Sequence, residues 1–145
     1  MRSRAVTGPD RAVRLALSVS LLRRGEWAPG VPAPQSIAFA TDDIVATARA
    51  LRAAGAPLVA VPANYHDDLD ARLDLEPELM TAVRECGLFY DQDEHGGYLH
   101  LVTEVLGSRV FFEVVQRVDG YDGYGGVNAP VRMAAHRRLR TEAST

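Results

Sequence analysis

The sequence contains no lysine: all 16 of its basic residues are arginine, set against 19 acidic residues for a net charge of −3. Phosphate binding needs a clustered positive stripe, and the one basic concentration, His136-Arg137-Arg138-Leu139-Arg140, reads as the solvated end of a C-terminal helix, where cations suit the helix dipole. Nucleic-acid binding is therefore not expected. Cysteine is nearly absent as well. The single Cys86 excludes an internal disulfide and a multi-cysteine zinc site, and its place in Ala82–Cys86, before Gly87, suits buried filler. Long apolar runs are missing too: Ala56–Val61 is broken by Pro57, and Val110–Val115 by Glu113. Neither approaches the ~18 residues a membrane span needs. Met1-Arg2-Ser3-Arg4 leads into Gly8-Pro9-Asp10 rather than an apolar signal core, so a cytoplasmic address is the default.

What is present fits one domain of ordinary size. The 145 residues, 47% hydrophobic and 24% charged, with mean hydropathy near zero, are enough for a real core. Arg4–Thr7 and Ala12–Ser18 flank Gly8-Pro9-Asp10 and read as a hairpin. Arg23–Pro34 carries two glycines and three prolines and reads as a linker. Gln35–Thr41 alternates Ile37 and Phe39 with the small Ser36, Ala38 and Ala40, the pattern of a strand whose second face leaves room.

Thr41-Asp42-Asp43 starts a helix that runs through Leu51 to a glycine cap at Gly55. Leu58–Val61 follows as a short strand ending at Pro62. Helical stretches are predicted from Asn64 to Leu73 and from Glu76 to Gly87. Leu88–Tyr90 and Tyr98–Glu104 read as strands joined by the polar turn Asp91–Gly97, and Arg109–Arg117 as the last and strongest strand. Asp119–Gly126 is a glycine- and tyrosine-rich loop, and Pro130–Arg140 a terminal helix. From Gln35 the order is β-α-β-(helical excursion)-β-β-β.

Glu113 is the residue most in need of an explanation. It stands within Val110-Phe111-Phe112-Glu113-Val114-Val115, where an isolated buried carboxylate is costly unless paired or bound to a cation. Arg117, four residues along the same face, is beyond easy reach; a salt bridge to another arginine, a position facing water and metal ligation all remain open. His100 lies on the face of Tyr98 and Val102 in the preceding strand. If those strands are neighbours, His100 and Glu113 converge, supplying two parts of the facial triad of non-haem iron(II) oxygenases. His95 belongs to the polar turn and reads as solvated. His66 precedes Asp67-Asp68-Leu69-Asp70, an acidic run without calcium-loop spacing that reads as solvated surface.

Four segments in order carry a family resemblance: Gln35–Ile44, Pro62–Asp67, Phe111–Arg117 and Gly123–Asn128. Together they resemble the C-terminal part of the 4-hydroxyphenylpyruvate dioxygenase family, in the vicinal-oxygen-chelate superfamily. The resemblance implies an α+β fold, a βαβββ module with a curved mixed sheet, preceded by a hairpin from a truncated preceding module. It divides the chain into that hairpin (1–23), a linker (24–34), the dioxygenase-like module (35–130) and a C-terminal helix and tail (131–145).

In such dioxygenases two histidines and a glutamate hold iron(II), a 2-oxo acid chelates it, and dioxygen attacks the substrate. By resemblance Glu113 matches the glutamate ligand, while Ser36 occupies the place of one histidine and the other belongs to a preceding module. Fe(II) or another divalent metal is the cofactor the resemblance implies. His100 matches a position near the metal, as a substitute ligand or a substrate contact. Phe111, Tyr124 and Asn128 match substrate-side positions, and Ala129 replaces a phenylalanine that would lie against the substrate ring.

The ending Gly120–Pro130 looks closer to bifunctional proteins that join a dehydratase domain, converting 3-dehydroshikimate to protocatechuate, to a dioxygenase-like C-terminal part. A 4-hydroxyphenylpyruvate dioxygenase-like module acting on a small aromatic or 2-oxo acid is the leading expectation. The dioxygenase-like part of a dehydratase and a metal-free binding or assembly module are its alternatives. A single βαβββ module leaves sheet edges uncovered, so a homodimer or a separate N-terminal half is expected to complete it.

Overall fold

The computed structural model describes residues 2–10, 12–19, 35–107 and 109–142. The chain divides into two units, Met1–Pro32 and Ala33–Thr145. The linker expected at Arg23–Pro34 lies outside the described residues. The first unit is an antiparallel hairpin of β1 (Arg2–Thr7) and β2 (Arg14–Val19), with Val6 opposite Leu15. Asp10 tightens the turn by accepting from the Ala12 amide at 3.1 Å. Val6, Leu15 and Leu17 are all exposed.

The second unit begins with strand β3 (Gln35–Ala40) and helix α1 (Ile44–Ala53). Asp43 caps α1 by accepting from the Ala46 amide at 2.9 Å, and Gly55, at φ 72°, turns the chain out of it. Where a strand is predicted over Leu58–Val61, there is only a bridge between Leu58 and Thr103. Pro57 and Pro62 bracket the stretch, and a proline has no amide hydrogen for a ladder. Helices α2 (Ala63–Arg72) and α3 (Pro77–Glu85) follow. They lead into β4 (Phe89–Asp93), β5 (Gly96–Val102) and β6 (Val110–Asp119). The turn between β4 and β5 is thus shorter than the predicted Asp91–Gly97. A 3-10 turn at Gly126–Asn128 runs into α4 (Ala129–Glu142).

Removing the strand that did not form leaves β-α-(α-α)-β-β-β, the predicted α+β module with a helical excursion. The four strands lie in the order β3-β6-β5-β4, with β3 and β6 parallel and the other pairs antiparallel. Alternation then sorts the side chains. Leu99, Leu101 and Val114 fall on one face; α1 packs against β5 and β6 there. Gln116, on that same face, ties strand to helix, accepting from the Ile44 amide at 2.9 Å and donating to the Asp42 carbonyl at 2.8 Å.

The opposite face carries Phe111, Glu113, His100 and Tyr98. Helix α4 covers part of it, with the His136 ring 4.8 Å from that of Phe111 and the Arg132 guanidinium 4.7 Å above the same ring. This corrects the reading of the basic tail. His136 is buried and its Nε2 lies 2.9 Å from the Thr103 carbonyl, because α4 folds onto an aromatic surface instead of projecting into water. Burying Phe111 is worth about 1.5–3 kcal/mol, which supplies much of the reason.

Cys86 is buried as expected, and His95 is exposed. His66 is not part of the solvated acidic run; it is buried, with Nε2 3.3 Å from the Leu88 carbonyl. One helical turn aims Tyr65, His66 and Leu69 inward while Asp67, Asp68 and Asp70 face water, paired with Arg84 and Arg72.

Candidate functional site

The register fixes which residues meet. Val102 of β5 lies opposite Glu113 of β6 and His100 opposite Val115, so His100 and Glu113 are diagonal neighbours on one face. Their side chains approach to 3.8 Å, between His100 Nδ1 and Glu113 Oε2. On the other flank Ala38 of β3 stands opposite Glu113, with Ser36 diagonal to it. The small residues of β3 leave the carboxylate room, and the Ser36 hydroxyl donates a hydrogen bond to it.

Both groups are short of water. The Glu113 side chain is 13% exposed and that of His100 only 3%. Burial pushes the carboxyl up from its usual range, while the Arg132 cation and the Ser36 hydroxyl pull it partly back. Burial pushes His100 down to about 3, with Arg132 acting in the same direction, so its imidazole is neutral. Glu113 is therefore partly compensated, by the field of the Arg132 cation on α4 and by Ser36. Arg117 takes no part in that compensation. Its guanidinium lies 5.0 Å from the Tyr98 ring centre and 5.7 Å from that of Tyr124, and donates to the Gly123 carbonyl at 3.1 Å.

Behind His100 stands a buried hydrogen-bond network. Asn128 Nδ2 lies 3.1 Å from His100 Nε2 and donates to the Tyr90 carbonyl at 3.0 Å. Asn128 Oδ1 accepts from the Tyr65 hydroxyl at 2.9 Å, and that hydroxyl accepts from the Tyr90 amide at 2.8 Å. Gly125, at φ 59°, brings the loop against this network. A Cβ there would sit 2.7 Å from the Tyr98 ring and 3.1 Å from His100 Nε2. The rings of Phe89 and Tyr98 each lie 5.1 Å from that of His100.

Of the sequence-derived candidates, Glu113, Ser36, His100 and Asn128 thus form one connected cluster. Phe111 lies beneath Arg132 and His136, 2% exposed. Tyr124 is 38% exposed and contacts Arg117 instead. Sequence reasoning missed Arg132 and Tyr65. Tyr65 sits inside a matched segment, Pro62–Asp67; Arg132 carries no signal, because only the docking of α4 sets it over Phe111, where its charge is felt at the carboxylate. An open depression of about 410 Å³ lies elsewhere, on the face of Tyr90, Gln92 and Leu99.

The donor set can be tested against the metal that the resemblance implies. Iron(II) in this chemistry takes imidazole and carboxylate ligands with open positions. Among the described residues no three His, Cys, Asp or Glu side chains come together. Ser36 brings a hydroxyl where imidazole is required, Glu113 is already hydrogen-bonded and lies in the field of the Arg132 cation, and His100 is engaged through Nε2. These residues do not fit a facial triad.

The βαβββ order, the mixed β3-β6-β5-β4 sheet and the inward Glu113 define an α+β module with the vicinal-oxygen-chelate fold of 4-hydroxyphenylpyruvate dioxygenases. In comparisons with known proteins, the chain is 40% identical over 144 residues to 3-dehydroshikimate dehydratase of Pseudomonas aeruginosa, covering 95% of this chain and 23% of that protein. The Pseudomonas putida enzyme of the same name is 37% identical over 150 residues, 99% and 24%. The 4-hydroxyphenylpyruvate dioxygenase of Neurospora crassa is 34% identical over 116 residues, 74% and 28%.

A solved xylose isomerase-like TIM barrel/4-hydroxyphenylpyruvate dioxygenase fusion protein matches with a TM-score of 0.80 at 36% identity, over 94% of this chain and 23% of that one. No protein-family model matches. The chain is homologous to the 4-hydroxyphenylpyruvate dioxygenase family and to the dioxygenase-like part of 3-dehydroshikimate dehydratases. It spans about a quarter of the length of those dehydratases. Among the described residues no helix is long and apolar enough to cross a membrane.

Proposed function

We propose that the chain acts as the dioxygenase-like part of a 3-dehydroshikimate dehydratase system, binding a small aromatic or 2-oxo acid rather than oxidising 4-hydroxyphenylpyruvate. The 40% identity to the P. aeruginosa dehydratase across 95% of this chain carries the reading, and it exceeds the identity to the dioxygenase of N. crassa. The donor set supports the second half, since Ser36 is a weak ligand beside imidazole and Glu113 already lies in the field of the Arg132 cation. In this reading the dehydration step belongs to the part of those relatives that the chain does not span. Iron(II), where a relative holds it, supplies dioxygen activation. Here Glu113, His100 and Ser36 bind and orient an oxygen-bearing ligand.

The edge strand supports an assembly partner as part of the proposal. Ile37 and Phe39 of β3 are 50% and 56% exposed, and Gln35–Ala40 carries no charge or proline to block pairing. The proposed partner is a second copy or a separately encoded N-terminal half. The deciding experiment supplies the purified chain with iron(II) and 4-hydroxyphenylpyruvate in an oxygen electrode. It then mixes the chain with the P. aeruginosa dehydratase from which the matching residues have been removed. No oxygen uptake and a stable complex in sedimentation are expected; iron-dependent uptake, or two independently sedimenting species, overturns the proposal.

A further inference from the structure

Three buried histidines differ in what their Nε2 atoms meet. His66 Nε2 faces the Leu88 carbonyl and His136 Nε2 the Thr103 carbonyl. A carbonyl only accepts, so both nitrogens carry hydrogen. His100 is the exception, because its Nε2 faces the Asn128 side chain. That side chain has no choice of orientation. Its nitrogen must be the atom near the Tyr90 carbonyl, which only accepts, and that sets its oxygen against the Tyr65 hydroxyl, whose single hydrogen is shared between that oxygen and the Tyr90 carbonyl. The second amide hydrogen of Asn128 therefore points at His100 Nε2, which must accept.

A neutral imidazole that accepts at Nε2 carries its hydrogen on Nδ1. That Nδ1 is buried and has no hydrogen-bond partner among the described residues, and it lies 3.8 Å from Glu113 Oε2, too far for a direct bond. An orphaned buried donor costs about 1–3 kcal/mol, which a third group between the two atoms would recover. An oxygen about 2.8 Å from both subtends roughly 85° at that separation. It would have to accept from Nδ1–H and donate to the carboxylate. A hydroxyl does both; a metal ion does neither, since Nδ1 presents it with a proton instead of a lone pair.

We propose that Asn128 locks His100 in the Nδ1–H tautomer, so that the gap between His100 and Glu113 receives a ligand hydroxyl in place of a divalent metal. Asn128 is a positioning residue, acting through His100. The ligand is a small hydroxylated organic acid; that clause rests on the proposed function, whereas the tautomer lock does not. β6 carries Glu113 between Ser36 and His100, and the partly exposed carboxylate is the side from which the hydroxyl enters.

The test uses the full chain, nitrogen-15 labelled, in chelator-treated buffer. Long-range proton–nitrogen correlation spectra should report Nδ1–H for His100 and a protonated Nε2 for His66 and His136; an Nε2–H signature at His100 overturns the lock. Calorimetry then compares 4-hydroxybenzoate with benzoate. The hydroxylated probe should bind about tenfold more tightly and shift the His100 Nδ1 resonance. Equal affinity, no binding of either, or an Nδ1–H exchanging magnetisation only with water overturns the ligand while leaving the lock and the dehydratase reading standing. Cobalt(II) uptake that perturbs His100 in the wild type overturns the exclusion of metal. Asn128→Leu should lose the preference for the hydroxylated probe; the wild-type measurements decide the matter if that variant does not fold.

Discussion

His100 Nδ1 and Glu113 Oε2 lie 3.8 Å apart on adjacent antiparallel strands, diagonal in register and both withdrawn from water. Burial disfavours charge on each, so the imidazole stays neutral and the carboxyl is pushed up despite the cation on α4. The pair is held apart rather than joined, and the gap between them is the feature from which the chemistry of the site follows.

Restoring an imidazole on β3 tests the geometry. Ser36→His places a second nitrogen donor diagonal to Glu113. It should raise cobalt(II) affinity by about tenfold or more over wild type, the scale on which metal sites respond to changes around a ligand. Visible-region cobalt titration reads it, and an unchanged affinity counts against the site as built here.

Removal of the Tyr65 hydroxyl strikes the network from behind. Tyr65→Phe leaves the Tyr90 amide and the Asn128 oxygen short of partners. A loss of about 1–3 kcal/mol in urea unfolding is expected. Burial holds the Tyr65 phenol up at about 12, so it stays protonated and the loss should not vary with pH near neutrality.

Gly125→Ala should destabilise by a similar amount, about 1–3 kcal/mol. The residue has φ 59°, and the new methyl would meet Tyr98 and His100 together. Gly55→Ala, also at positive φ but with nothing near its Cβ, should cost less. Chemical denaturation of the pair separates backbone strain from crowding.

Acid should weaken the fold through His100. Its folded-state value is held down near 3, against an ordinary 6.5, so between those limits the unfolded chain binds more protons and stability falls as pH drops. Glu113 opposes this. Its raised value means that the folded state binds more protons just above the ordinary 4.5, and that part of stability is lost as pH rises. His100→Phe keeps a ring between Phe89 and Tyr98 and should flatten the acid limb. An unchanged slope would mean that His100 is not held neutral.

Association through β3 should be sensitive to charge. Phe39 is 56% exposed at the sheet edge, so Phe39→Lys should leave unfolding free energy within about 0.5 kcal/mol while abolishing any dimer seen by light scattering.

The local pattern of the chain determined most of its elements. Alternation in Gln35–Ala40 and Val110–Val115, the Asp43 cap and the glycine after α1 are local signals, and each is realised. Four ordered motifs were likewise enough to identify the family. Leu58–Val61 failed because propensity cannot tell whether a neighbour's backbone is free along its whole length, and two prolines limited it to a bridge. His66 and His136 were misjudged because sequence neighbours suggested water, whereas helix docking decided burial.

The character of the site belongs to the tertiary structure alone. The sequence shows that Glu113 needs compensation, but only the packing of α4 names Arg132 as the cation. Only the meeting of Tyr65, Tyr90, Asn128 and His100, drawn from four separate elements, fixes which imidazole nitrogen carries the proton. A hydrogen's position on a ring depends on the groups around it in space, and those groups lie up to 63 residues apart along the chain.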